Sequence, residues 1–362
     1  MSGETAVGSS GAKGHFQVTS AIVKSAGARL AWMDALRGIA ALSTVAHHYF
    51  GPWIRLPNAF DFDFGMFGVA IFFCISGFII PNSINMDKPA PLRAFLIGRF
   101  FRLYPSYWVS MAFGIAAFGA SWLTVLANVT MFQRVFGISD IIGVYWTLQV
   151  ELTYYLFVVA TLYLGVFNRP KVVIGSLAGA VFLSIALGGV RFWLAHKAPV
   201  ALSIGLVLIL LGNVYRLHRA DRVTGAVFIA CLFGVIAGLL VTFQLSYSRD
   251  WGFNEHPGRF IISDGLALVV FFLTARSGRL NVRVLSWLGG ISYSLYLLHM
   301  PVYSLLETYL GWQSKVATVA LSIPVVLALS AMLHYGLEKR MIDLGRRIVR
   351  RPANAASLQP AN

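Results

Sequence analysis

Arg37 and His48 stand eleven residues apart in the first strongly apolar stretch of the chain, Met33-Asp34-Ala35-Leu36-Arg37-Gly38-Ile39-Ala40-Ala41-Leu42-Ser43-Thr44-Val45-Ala46-His47-His48. Eleven residues at about 100° each return to nearly the same helix face, roughly 16 Å further along the axis. An ionisable pair on one stripe of a membrane helix is costly and marks a functional site by default. Asp34 shares the face and can pair with Arg37 at i, i+3. His48 then falls toward the far end, where a neutral imidazole can act as general base on a hydroxyl. Plainer roles stay open: Arg37 as a snorkelling topology anchor and His48 as an interfacial histidine. His47, about 100° around the helix, competes with His48.

Other segments carry matching chemistry. Arg99 and Arg102, in Arg99-Phe100-Phe101-Arg102-Leu103-Tyr104-Pro105, present two planar forks on one helix face and suit phosphate, or are ordinary basic flanking. Glu151 is the one acid in the span that opens Tyr145-Trp146-Thr147-Leu148-Gln149-Val150-Glu151. Trp146, Thr147 and Tyr154 or Tyr155 share its side, and a buried acid needs a partner. His299 closes Ile291-Ser292-Tyr293-Ser294-Leu295-Tyr296-Leu297-Leu298-His299, and alternating spans place it at the outer-half depth expected for His48 and Glu151. Ser76-Gly77, in the second span, offers a notch for close helix approach or a lining for an acyl or pantetheine chain.

The elements that must hold these residues are membrane helices. The 362 residues are 57% hydrophobic and 12% charged, with mean hydropathy +0.72, whereas soluble domains carry about 25% charged residues. Apolar segments of membrane-spanning length fall at 32–50, 64–81, 101–120, 146–167, 172–190, 199–215, 223–245, 259–275, 286–306 and 316–337. The expected fold is an all-α polytopic bundle of about ten transmembrane helices, with 121–145 as an outer re-entrant or interfacial segment. Most of the 29 Lys and Arg then lie on one side. Only Arg55, Arg134, Arg191, Lys197, Arg249, Arg259 and Lys315 lie on the other. This asymmetry sets topology and argues against a nucleic-acid partner for the +15 net charge. Both termini are expected to be cytoplasmic. Residues 1–30 read as a disordered tail rather than a signal peptide, 31–338 as the membrane domain and 339–362 as a basic tail along the anionic inner leaflet. Outer stretches 51–63 and 246–258 carry polar and aromatic residues that shape a saccharide-sized mouth or serve as interfacial anchors. Cys74 and Cys231 have neither metal nor disulfide spacing, so no metal is expected.

Taken in order, Asp34 to Ala41 with Arg37 and His48, Phe72-Phe73-Cys74-Ile75-Ser76-Gly77-Phe78, the Arg99/Arg102 pair, Trp146 to Glu151 and Ile291 to His299 resemble the acyltransferase family 3 integral membrane proteins. The resemblance spans nearly the whole membrane block. It implies transfer of an acyl group, usually acetyl from cytoplasmic acetyl-CoA, to a hydroxyl of an extracytoplasmic or membrane-linked glycan, in the inner membrane and with no permanently bound cofactor. His48 takes the place of the family's essential histidine, Arg37 that of its basic partner, and Arg99 and Arg102 match the arginines of the coenzyme A side. Glu151 and His299 are expected to position the acceptor or tune the base. Asp34, Ser76, Trp146, Tyr155 and Tyr293 are expected to contact substrate. Two departures stand out: His47 duplicates the imidazole, and Gln149 precedes a single acid where relatives often carry two. A covalent acyl-histidine relay is a variant of the mechanism. The rival function is a transporter or flippase for a lipid-linked saccharide, whose path the same polar residues would line.

Overall fold

The ten apolar segments all become helices, and several open on recognisable start signals. A computed structural model describes residues 11–51, 62–87, 89–196, 198–248, 256–310 and 314–350, without the side chains of 11–30 and Leu310. The long helices are α1 (Gly11–Phe50), α2 (Phe64–Ile79), α3 (Pro91–Phe118), α5 (Trp146–Tyr163), α6 (Pro170–Leu194), α7 (Val200–Arg219), α8 (Gly225–Tyr247), α9 (Pro257–Ser277), α10 (Arg283–Leu310) and α11 (Lys315–Leu333). Two shorter ones, α4 (Trp122–Val129) and α12 (Lys339–Arg350), complete the set, and no strand occurs among the described residues. Proline opens α3, α6 and α9, where its missing N–H costs nothing. The Asp63, Thr224 and Ser314 side chains cap α2, α8 and α11.

Six helical segments among the described residues are long and apolar enough to cross a membrane by length and composition, α11 and α12 counting as one. The count of ten spans is therefore not reached on that criterion. The long helices outside the six are α1, α3, α5 and α10, which carry Arg37 and His48, Arg99 and Arg102, Glu151, and His299. Their polar residues lower the hydropathy of the helices that hold the candidate site.

Two tails differ from expectation. The backbone is helical from Gly11, because no proline interrupts the run to Phe50; residues 1–10 lie outside the described residues. Lys339–Arg350, read from the sequence as a basic tail along the inner leaflet, forms α12, joined to α11 by a π-helical turn at His334–Glu338 and packed on α3. Residues 351–362, and most of the outer stretches 51–63 and 246–258, lie outside the described residues.

The segment after α3 folds back along that helix. Eight residues of α4 span only about 12 Å, and Trp122, Leu123 and Leu126 are exposed on its apolar face. The hydroxyls of Tyr104 and Tyr107 and the Trp108 indole donate to the carbonyls of Thr130, Asn128 and Val129. These bonds draw the end of α4 back to the middle of α3. Ser110 and Tyr145 are hydrogen-bonded at 2.7 Å, so the start of α5 is held level with the second half of α3.

The backbones of α1 and α10 touch. A side chain on Gly289 would run into the Asp34 carbonyl, and one on Gly38 into the Leu285 carbonyl. This close approach sets the two helices in register, so that His48 on α1 meets His299 on α10. Gly289→Leu should therefore destabilise the bundle by at least about 1–3 kcal/mol, the usual cost of overpacking, while Gly290→Ala, whose side chain meets open space, should not. Thermal unfolding in detergent checks this; equal midpoints for the two variants would contradict the packing.

Candidate active site

At the far end of α1, two imidazoles lie together. The His48 ring centroid is 5.1 Å from that of His299 and 4.9 Å from that of His47. His299 is fully buried. Its Nδ1 lies 2.8 Å from the Tyr296 carbonyl oxygen and 3.3 Å from that of Leu295. A carbonyl only accepts, so Nδ1 carries the proton and Nε2 keeps its lone pair. That Nε2 has no hydrogen-bond partner among the described residues. The Tyr49 hydroxyl donates to the His299 carbonyl at 2.9 Å and ties the two helices together at this level.

His47 is committed elsewhere. Its Nδ1 lies 3.0 Å from Asp63 Oδ1, whose other oxygen is 2.8 Å from Arg259. The Asp63 N–H donates to Ser263 Oγ. Burial alone would push the Asp63 carboxyl up, but the His47 hydrogen bond, helped by the Met66 N–H and Arg259, holds it at about 2. His47 thus ties α1 to α2 and α9, while His48 keeps its ring against His299.

At the basic end a cavity of about 300 Å³ enters the bundle, walled by α1, α2, α3, α5 and α10. Asp34, Arg37, Ser76, Arg99, Arg102, Glu151 and Tyr293 all line it. Arg99 bonds Ser83 Oγ and lies 5.4 Å over the rings of both Phe95 and Tyr155. The Tyr155 hydroxyl donates to Glu151, and the Tyr293 hydroxyl donates to the Leu103 carbonyl at 2.9 Å. Arg37 and Arg102 form no ion pair within 4.0 Å among the described residues. Instead, Asp34, Glu338 and Glu151 act on Arg37 only at longer range, against burial and the repulsion of Arg102. The direct Asp34–Arg37 pair expected from i, i+3 spacing is not formed, and both side chains face the cavity.

Glu151 therefore belongs with Arg37 rather than with His48. The cause is the segment between α3 and α5: it returns along α3, so the second turn of α5 comes level with Arg37, Arg99 and Arg102. Trp146 packs against Phe73 and is not part of the cavity wall, and Tyr154 receives a hydrogen bond from Asn213. Ser76 faces the cavity, while Gly77 presses on the Ile209 carbonyl of α7, so the notch and the lining are adjacent positions.

Tyr296 connects the two clusters. Its hydroxyl is 2.9 Å from Thr147 Oγ1, both residues line the cavity, and its ring centroid is 5.8 Å from that of His299. The basic end of the arrangement presents guanidinium to an anion or polar carbonyl; the opposite end presents an imidazole lone pair.

Sequence reasoning missed Glu338. It is buried at the π turn, accepting from Ser294 Oγ at 2.9 Å and lying 3.0 Å from His334 Nδ1, within electrostatic reach of Arg37 and Tyr293. The available signal was His334 at i−4 and an acid closing an apolar run; π turns recur at functional sites. Asp264 was also missed: it is buried on α9, with neither carboxyl oxygen partnered among the described residues.

No solved structure matches the chain. A membrane-bound transacylase, BcsY, of Komagataeibacter xylinus is 26% identical over 344 residues, covering 87% of this chain and 83% of that protein. The peptidoglycan O-acetyltransferase OatA of Listeria monocytogenes is 26% identical over 317 residues, covering 75% of this chain and 49% of its own length. Nodulation protein 10 of Rhizobium leguminosarum bv. viciae is 29% identical over 188 residues, 43% of this chain and 48% of that protein. The chain thus spans about half the length of the last two. The acyltransferase domain family matches residues 30–335, and on that span the chain belongs to acyltransferase family 3, as a multi-pass membrane acyltransferase.

Proposed function

We propose that the protein moves an acyl group, most simply acetyl, from a cytoplasmic acyl-CoA to a hydroxyl of a glycan on the other side of the inner membrane. The observation that carries this reading is the bridge at Tyr296, with a guanidinium-lined cavity on one side and the His48–His299 pair, half-buried and buried, on the other. The basic end is taken as cytoplasmic by the positive-inside rule, which also puts both termini inside. The glycan acceptor follows the named activity of OatA. Membership of an acyltransferase family removes the support for the flippase alternative.

In this scheme the thioester arm enters past Arg99 and Arg102, and its polar amides meet Asp34, Arg37 and Glu151. His48 accepts the proton of the acceptor hydroxyl as that oxygen bonds to the thioester carbonyl carbon. The carbon–sulfur bond then breaks, and the imidazolium returns the proton to the departing thiolate. His299, with Nδ1–H fixed on the Tyr296 carbonyl, offers its lone pair to the same space and positions His48. Arg37 orients the donor, and a guanidinium without a close carboxylate is suited to that task.

Two expectations separate these roles. His48→Ala should lower acceptor-dependent thiol release from acetyl-CoA in proteoliposomes by about 10²-fold or more, the usual contribution of a general base. His47→Ala should act mainly on stability, through loss of the Asp63 tie. Release that survives without His48 and fails without His47 would move the assignment by one residue. Second, Arg37→Gln should reduce kcat/KM by at least about tenfold, with partial recovery in Arg37→Lys, as for loss of a charge-assisted contact. A change within twofold in steady-state kinetics would exclude Arg37 from donor orientation.

A further inference from the structure

A second cavity, of about 400 Å³, opens at the basic end beneath α12. Its wall is shared by the Pro81–Ser83 turn, α3 and α12, with Ser83, Arg99, Arg102, Gly345, Arg346 and Arg350 among its lining. Ser83, Arg99 and Arg102 also line the inner cavity, so the two are adjoining chambers with the arginine pair between them. Resting on the acyl-CoA reading above, we propose that α12 forms the seat for the nucleotide part of the donor, with Arg346 and Arg350 joining Arg99 and Arg102 around its phosphates.

The construction of α12 supports this. Gly345 is buried, and a side chain there would crowd the Phe101 ring, so α12 lies directly on α3. Arg346 and Arg350 are four residues apart and share a helix face. Arg346 meets Asp343 at 3.0 Å, but both side chains are largely exposed, and such a pair is weak and gives way to a phosphate. Four guanidiniums from two helices around one hollow fit a ligand with several phosphate oxygens. The same phosphate chemistry exists in anionic lipid headgroups, and basic helices bind them. The shape favours the nucleotide: the adjoining chamber of about 300 Å³ takes one thin arm, which phosphopantetheine has, rather than a pair of acyl chains.

The test uses full-length protein in nanodiscs made with and without anionic lipid. Adenosine 3′,5′-bisphosphate serves as the binding probe, and acetyl-CoA and acetylpantetheine are compared as donors. The expected result is saturable probe binding in both lipids, weakened about tenfold or more in Arg346→Gln/Arg350→Gln and in Gly345→Leu, but unchanged in Arg347→Gln, an exposed residue of the same helix outside the cavity wall. The preference for acetyl-CoA over acetylpantetheine should fall by a similar factor in the double variant. Acetyl-CoA turnover without probe binding would overturn the seat and leave the acyltransferase reading intact. Probe binding lost in the double variant, without turnover of either donor, would keep the seat and overturn the donor scheme. Probe binding that needs anionic lipid, or that Arg347→Gln weakens equally, would assign the arginines to the membrane surface and overturn the proposal.

Discussion

Holding guanidinium inside a membrane bundle without a close carboxylate is the constraint around which this molecule is arranged. Arg37 and Arg102, both half-buried, form no ion pair within 4.0 Å among the described residues, and a charge drawn out of water without a partner is costly. The structure lessens that cost with a polar cavity, with Asp34, Glu151 and Glu338 at longer range, and with a hollow open toward the basic end. An anionic, amide-rich substrate would supply the missing partners. The site is therefore better satisfied occupied than empty, which is a reason to read it as a binding site rather than as topology alone.

Helix register carries the consequence outward. Because Gly38 and Gly289 let α1 and α10 touch backbone to backbone, the Arg37 level and the His48 level of α1 face the Tyr293 and His299 levels of α10. Two helices in direct contact thus supply both ends of the path, and Tyr296 lies between them. Lateral packing adds the rest: α3 brings the arginine pair, α5 brings Glu151, and the Asp63 cluster holds the outer end of α1 against α2 and α9.

Much of this was legible in the residues. Apolar length predicted each long helix, and helical spacing put Arg37 with His48 and Arg99 with Arg102 on common faces. The depth of Glu151 was not legible, because it depends on Tyr104, Tyr107 and Trp108 capturing carbonyls of a segment more than twenty residues away. A hydropathy reading starts each span at a membrane surface, whereas the start of α5 is bonded to Ser110 within α3. Glu338 and α12 were hidden for a related reason: a basic, polar sequence after the last span looks like a tail until its single buried glycine meets Phe101. The sequence placed His48 ahead of His47, but that Asp63 engages the His47 ring is visible only in the fold.

The central claim is that one path links the arginine mouth to the imidazole pair. The most direct measurement is a cryo-EM structure of the protein in nanodiscs with an acetyl-CoA analogue whose sulfur is replaced by methylene. The account predicts the nucleotide at the basic end, the arm past Arg37 and Glu151, and the acyl carbonyl beyond Tyr296 beside His48 and His299. An acyl end that stops among Asp34 and Arg99, or an analogue seated on the outer face, would contradict it.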